Sequence, residues 1–257
     1  MEFSYLAWPL TLLILPGTLW GRVAEGRETT DRPAVVEKAR PAQPVFETAL
    51  LGRMNLPDRI AAMEILRKPD FTFQTTTPPA KVRLATMEKL FDHPRLAAAM
   101  WRECQFMPRL YAFALPARGL LIDDTSGLQG TLTLACREAG KRVYLIDGRV
   151  AKGRMGNPFA VGARMVVIYK YWEGAKGFQS QLQAWTTLDS ALLGVLTRPF
   201  RHYVQRRQEE FMAYILGNMA QGGAFAESSH DDFLGPIQRE GDPVAIRQYH
   251  LVFGKRP

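Results

Sequence analysis

The residue types able to do chemistry are thinly spread along this chain. Asp123 and Asp124 adjoin a Thr125-Ser126-Gly127 turn. Paired carboxylates can exchange a proton in acid–base catalysis. Neighbours in a strand point to opposite faces, however, so turn formation is the better account of this pair. The four histidines, His93, His202, His230 and His250, have no metal-ligand spacing. His202 with Tyr203, Arg206 or Arg207 suits a ligand headgroup at a cavity mouth, or simply a solvated helix face. Ser126 and Ser190 lack the GxSxG setting of an activated nucleophile. The run Gly148–Gly156 is glycine-rich and basic but lacks the GK[ST] ending of a phosphate loop, and reads as a loop over a cavity entrance. The two cysteines, Cys104 and Cys136, belong to no CxxC and read as buried thiols; a single disulfide stays open if the chain is exported. No catalytic set, metal site or cofactor is expected.

The elements that would position these residues can be read from composition and periodicity. At 257 residues and 47% apolar, the chain can bury a sizeable core. Its net charge of +8 is dispersed, without a basic run or an aromatic-interleaved patch, so no nucleic-acid partner is expected. A membrane surface is a possible partner, and a solubilising surface is the plainer reading. Residues 5–21 form the one strongly apolar run, interrupted by Pro9 and Pro16 and preceded by no Lys or Arg. We read residues 1–24 as a signal peptide or membrane anchor, which favours an exported or tethered protein over a cytoplasmic one. Residues 25–44 have linker composition, and 45–70 show helical spacing with Pro57 in a first turn.

From Phe71 the pattern changes. FTFQTTT (71–77) is a first strand, ended by Pro78 and Pro79. Ala80 to Leu90 and Pro94 to Cys104 read as two short helices. Strands are then expected at 109–115, 119–123, 130–137, 141–148, 163–172 and 178–187, joined by turns too short for parallel crossovers. Leu188 to Gln221 is the longest helical pattern, with Asp189 or Ser190 as cap and a kink or restart at Pro199. Its apolar stripe is read as Leu192, Leu193, Leu196, Phe200, Tyr203, Val204, Phe211, Ile215 and Met219. Gly222-Gly223 is expected to stop it, leaving 222–257 as a tail with one strand-like stretch, Ala245 to Phe253.

One strand, two short helices, a meander of about six strands and a long C-terminal helix resembles the START-like, helix-grip superfamily. That group includes START lipid-transfer domains, polyketide cyclase-like proteins and coenzyme Q-binding proteins. The segments carrying the resemblance are 71–101, VIYKYW (167–172), FQSQLQAW (178–185) and RPFRHYVQRRQEEFMAYI (198–215), within a domain spanning 71–221. It implies an α+β fold, a curved antiparallel sheet of 6–7 strands wrapped around the last helix, with a site between them.

Given that fold, alternation assigns the faces. Arg164 and Lys170 share one face, so Met165, Val167, Tyr169 and Tyr171 should face the helix. Leu132, Leu134, Cys136, Val143, Leu145, Leu182 and Ala184 are likewise read as inward, with Asp147 near the rim. Tyr144, Ile146, Val166, Ile168, Trp172 and Trp185 are then left on the outer face, which needs a cover: the 45–67 segment, the tail or a second copy. The expected ligand-binding residues are Tyr111, Phe113, Leu132, Leu134, Leu145, Val167, Tyr169, Tyr171 and Leu182 from the sheet. Leu196, Phe200, Tyr203 and Phe211 complete the set from the helix. Such a lining suits the binding, and by extension the transport, of a lipid, isoprenoid or aromatic molecule. Two other readings stand beside this one. One is a cyclase- or dehydratase-like enzyme using Asp147, Tyr169 and Tyr171. The other is an interaction protein whose core is filled.

Overall fold

The computed structural model describes residues 44–116, 118–125, 128–150, 161–189 and 198–254. The apolar run at 5–21 and most of the glycine-rich run at 148–156 lie outside these ranges. A 3-10 turn (Thr48–Arg53) and α1 (Leu56–Arg67) precede β1 (Phe71–Thr76), α2 (Leu84–Asp92) and α3 (Pro94–Glu103). Six strands follow: β2 (Tyr111–Ala114), β3 (Leu120–Asp123), β4 (Leu128–Glu138), β5 (Lys141–Val150), β6 (Val161–Gly174) and β7 (Gly177–Leu188). The chain then forms α4 (Arg201–Ser228), α5 (His230–Glu240) and α6 (Pro243–Phe253). All seven strands make one antiparallel sheet in the order β1-β7-β6-β5-β4-β3-β2, a meander whose first strand returns to pair with the last. This is the helix-grip arrangement expected from the sequence.

The tightest connection joins β6 to β7. Gly177 has φ +105°, and a Cβ there would stand 2.3 Å from the Ala80 carbonyl oxygen. Glycine is required at that position both for its dihedral and for the approach of the α2 lead-in.

The sheet is buried on both faces through β5, β6 and β7. On the outer face Leu50, Met54, Ala62 and Ile65 pack over Val143, Val166, Ile168 and Trp185. Phe46 meets Trp185 edge-on at 5.3 Å, and Glu47 pairs with both Lys141 and Lys170. The 45–67 segment is therefore the cover that the apolar outer face required. Asn55 accepts from the Asp58 amide to cap α1, and Pro57 lies in its first turn.

Several expectations are corrected. The faces of β5 are reversed: Arg142, Tyr144 and Ile146 pair with Tyr169, Val167 and Met165 on the inner face, while Val143 and Leu145 turn outward. A register shift between Leu134 and Cys136 also carries Cys136 to the outer side, beside Val143. A strand with apolar residues on both faces offers no alternation from which to choose.

β7 runs to Leu188, and the long helix runs from Arg201 after a 3-10 turn at Arg198–Phe200, the restart expected at Pro199. Ser190 and the expected lead-in residues Leu192, Leu193 and Leu196 lie outside the described residues. The helix also passes through Gly222-Gly223 instead of stopping. A Cβ on Gly223 would lie 3.1 Å from Met87 Sδ, 3.2 Å from Val82 and 3.3 Å from Leu90. The glycines here permit close approach of α4 to α2.

The tail is helical and part of the core. Phe233, Ile237, Ala245, Tyr249 and Val252 join the inner cluster, so the strand expected at 245–253 is instead α6. Ala245, Tyr249 and Val252 recur at helical spacing behind an Asp242-Pro243 start signal. Asp242 accepts from the Val244 and Ala245 amides and from Arg95 of α3 at 2.8 Å. Burial alone would raise its carboxyl, but the Arg95 and amide hydrogen bonds bring it below the usual carboxylate value.

Urea unfolding tests two of these contacts. Gly223→Leu should destabilise by about 1–3 kcal/mol through overpacking. Gly217→Ala, where a Cβ meets nothing within 4 Å, should stabilise by about 0.5–1 kcal/mol. Asp242→Ala should cost about 1–2 kcal/mol at neutral pH. A carboxyl lowered by folding contributes its stability above the ordinary carboxylate range and loses it as pH falls through the lowered value. The wild type should therefore lose its advantage over the variant between about pH 5 and pH 2.

Candidate functional site

Register sorts the inner-face side chains into rows that cross the sheet. One row runs Phe71, Thr186, Met165, Ile146, Leu132, Leu120 and Ala114. The next runs Phe73, Ala184, Val167, Tyr144 and Leu134, and a third has Thr75, Leu182, Tyr169 and Arg142. Beyond it lie Tyr171 and Ser180. These rows end differently.

The end at Tyr169 and Tyr171 is closed. Phe91 of α2 stands 5.2 Å from each of their rings, and both tyrosines are buried. Between them lies Arg142, only 1% exposed. It donates to Asp92 Oδ1 at 2.7 Å, the Glu88 carbonyl at 3.2 Å and the Tyr171 hydroxyl at 3.3 Å, with its guanidinium 5.2 Å from the Phe91 ring centre. Burial works against its charge, yet the hydrogen bonds with Asp92 and Tyr171 hold its pKa above the usual guanidinium value. Burial also raises the Tyr169 hydroxyl, whose neighbour Ser180 is bonded to Thr77 at 2.8 Å. Between α3 and α4 a crevice of about 10 Å³ remains beside Trp101, Phe106 and Asn218, room for one water.

The opposite end is less covered by the described residues. Leu120, Ile122, Leu132 and Leu134 are half-buried and belong to neither buried cluster. Ile146, Met165 and Tyr144 sit at their border with the inner core. The result is a continuous apolar wall across β3 to β6, with one phenol at its edge.

The residues expected to bind ligand fall into four groups. Val167, Tyr169, Tyr171 and Leu182 face inward but are packed into the closed end. Leu132 and Leu134 line the open wall. Leu145, Tyr111 and Phe113 lie on the opposite face: Leu145 packs on the α1 side, and register aligns Phe113 with Leu121 and Thr131. Phe113 is 47% exposed, and Tyr111 lies under the Arg102 guanidinium at 4.4 Å. Phe200, just before α4, and Tyr203 on it are exposed, Phe211 is half-buried, and Leu196 lies outside the described residues.

The buried stripe of α4 is Val204, Gln208, Met212, Leu216 and Ala220. It is rotated by about one residue, roughly 100°, from a stripe chosen for its largest aromatics. Sequence reasoning therefore missed Gln208, and it missed Arg142 through the reversal of β5. The matching parity of Arg142, Tyr144 and Ile146 is the only signal that would have found the latter.

Asp147 is exposed and pairs with Arg164 on the outer face, so it does not meet Tyr169 or Tyr171. Cys104 packs on the inner core and Cys136 on the outer, both free. Burial, then Glu103, pushes the Cys104 thiol up to about 11. Among the described residues no group of three His, Cys, Asp or Glu could hold a metal ion. Nor is any described helix long and apolar enough to cross a membrane.

No family model matches the chain, and no curated protein does. Solved structures similar to it include a conserved protein from Geobacillus kaustophilus, 11% identical with a TM-score of 0.37, covering 58% of this chain and 95% of its own. A protein from Thermus thermophilus is 14% identical with a TM-score of 0.33, covering 62% and 99%. The di-domain ARO/CYC StfQ from the steffimycin biosynthetic pathway is 17% identical with a TM-score of 0.31, covering 72% of this chain and 62% of that one.

The closed end can be tested by its charge balance. Asp92→Ala leaves Arg142 buried without its carboxylate and should cost about 2–3 kcal/mol, reduced from a fully buried pair because Asp92 is partly open. Adding Arg142→Met should restore much of that loss in urea unfolding.

Proposed function

We propose that this protein binds a hydrophobic small molecule, a lipid, isoprenoid or aromatic compound, against the open end of the sheet's inner face. The observation that carries the reading is the half-buried wall formed by Leu120, Ile122, Leu132, Leu134, Ile146 and Met165. A sheet face normally buries its apolar side chains under another layer, as the closed end does under Phe91 and α4. Four of these, Leu120, Ile122, Leu132 and Leu134, lie outside the two buried clusters and, with Ile146 and Met165 at the border of the inner one, offer a ligand a surface worth roughly 25 cal/mol for each Å² it covers. Rigidity comes from the closed end, where Arg142 ties β5 to α2.

A carrier role fits better than catalysis because the residues offered for acid–base chemistry, Asp147, Tyr169 and Tyr171, are on the other face or packed into the closed end. Tyr171 and Arg142 hold each other and the end of α2, while Asp147 lies on the other face. Export or membrane tethering through the apolar run at 5–21 is part of the same proposal.

Titration with the uncharged fluorophore N-phenyl-1-naphthylamine tests this reading. Saturable enhancement is expected, weakened at least about tenfold by Met165→Glu or Leu132→Glu, since a charge in an apolar site is strongly disfavoured. Trp172→Glu, on the exposed outer side, should leave it unchanged. Equal binding by all four proteins, or none by any, would contradict the proposal. Lipid extraction and mass spectrometry of the purified protein should then identify the natural ligand class.

A further inference from the structure

The helix that covers the outer face of the sheet has a second apolar side. Towards the sheet α1 buries Asp58, Ala62 and Ile65. On its far side Leu56, Ile60 and Met63 are 63%, 52% and 53% exposed. Spacings of four and three stack these side chains in one row along the outward surface. A helix that is apolar on both sides ordinarily has a layer against each. The row runs on into Arg67, the last residue of α1, and Lys68 follows it; both are exposed, and neither is in an ion pair among the described residues. The carboxylates of the same segment are already held: Glu47 by Lys141 and Lys170, Asp58 by Arg118 at 2.6 Å and Glu64 by Arg164 at 2.9 Å. The uncommitted charge beside the row is therefore positive.

We propose that this face of α1 docks on an anionic lipid bilayer, with Leu56, Ile60 and Met63 entering the acyl boundary and Arg67 and Lys68 meeting headgroup phosphates. A helix lying in the membrane plane binds such a surface through its buried apolar row and through the attraction of its cations to anionic lipid. Three apolar side chains are few beside the roughly 20–30 residues that a stable protein interface engages on each side, whereas a bilayer needs no matching shape. With the apolar run at 5–21 held in a membrane, residues 22–43 keep α1 within about 80 Å of it, the full reach of that chain. Docking here adds a second point of attachment to the proposed tethering, on which it rests, and does not involve the ligand wall on the other face of the sheet.

The test uses the full chain with labelled methionine methyls. Sedimentation with vesicles of phosphatidylglycerol and phosphatidylcholine reads attachment as such. Methyl NMR in bicelles of the same lipids, doped with a doxyl-labelled lipid, reads which side of the domain meets the bilayer. Seated about 5–10 Å into the headgroup boundary, the Met63 methyl should broaden about threefold more than that of Met107. Met107 is equally exposed but follows α3, which packs in the inner core. Leu56→Glu with Ile60→Glu should abolish the difference, since charge is disfavoured in the acyl region. Arg67→Gln with Lys68→Gln should reduce it and remove the preference for the anionic lipid. Sedimentation with equal broadening of the two methyls leaves a tether alone and overturns the docking, as does a difference that survives both pairs of substitutions. No sedimentation overturns the tethering and the docking together. A Met63 shift that follows protein concentration without lipid assigns the face to a second copy, and overturns it as well.

Discussion

The structure depends on a sheet that is clasped from both sides over part of its area only. Through β5, β6 and β7 the outer face carries the 45–67 segment, while the inner face carries α2 and α4, with the C-terminal helices packed against α2, α3 and α4. Strands buried on two sides lose the alternation that marks a half-wet sheet, and here they gain apolar residues at consecutive positions. What keeps that double layer in register is a polar contact. Arg142 enters the core on an inward position of β5 and ends on the carboxylate and carbonyl of α2. Its cost in desolvation is met by three partners and an aromatic face, so the pairing fixes where the helix lies as well as how firmly.

That clasp also determines where the sheet is free. The rows at Tyr171 and Tyr169 are sealed by Phe91, and burial diminishes along β6 until Met165 is only half-covered. The wall across β3 to β5 is thus the part of the inner face that the double layer does not claim. A filled core and an apolar open surface coexist in one domain, at opposite ends of the same strands. The packed-core reading of the inward stripe describes the end at Tyr169 and Tyr171; the binding-wall reading is the proposal for the other end.

Much of this architecture was legible in the sequence. Period-two alternation at 130–134, short turns and the strand-helix-helix opening specify an antiparallel meander and its partner helices. The apolar outer residues Val166, Ile168 and Trp185 demand a cover, and the helical spacing of 45–67 supplies it. Finer assignments failed where the pattern was degenerate. Val143, Tyr144, Leu145 and Ile146 are apolar in succession, and only cross-strand register tells which pair faces inward. On α4 the bulky Phe200 and Tyr203 drew the stripe toward themselves, whereas the true one hides a glutamine and several small residues. Gly222-Gly223 looked like a stop because close packing by α2 is a tertiary fact that no local signal carries. The C-terminal helices were hidden by β-branched residues at 244–252, although the Asp242-Pro243 start was present.

Whether the open half of the inner face holds an apolar ligand is tested most directly by methyl NMR. The Leu-, Ile-, Val- and Met-labelled protein would be titrated with N-phenyl-1-naphthylamine. Methyls of Leu120, Leu132, Leu134, Ile146 and Met165 should shift together and saturate, with those of Val166 and Ile168 unmoved across the sheet. No saturable shift along that wall, or shifts confined to outer-face methyls, would contradict it.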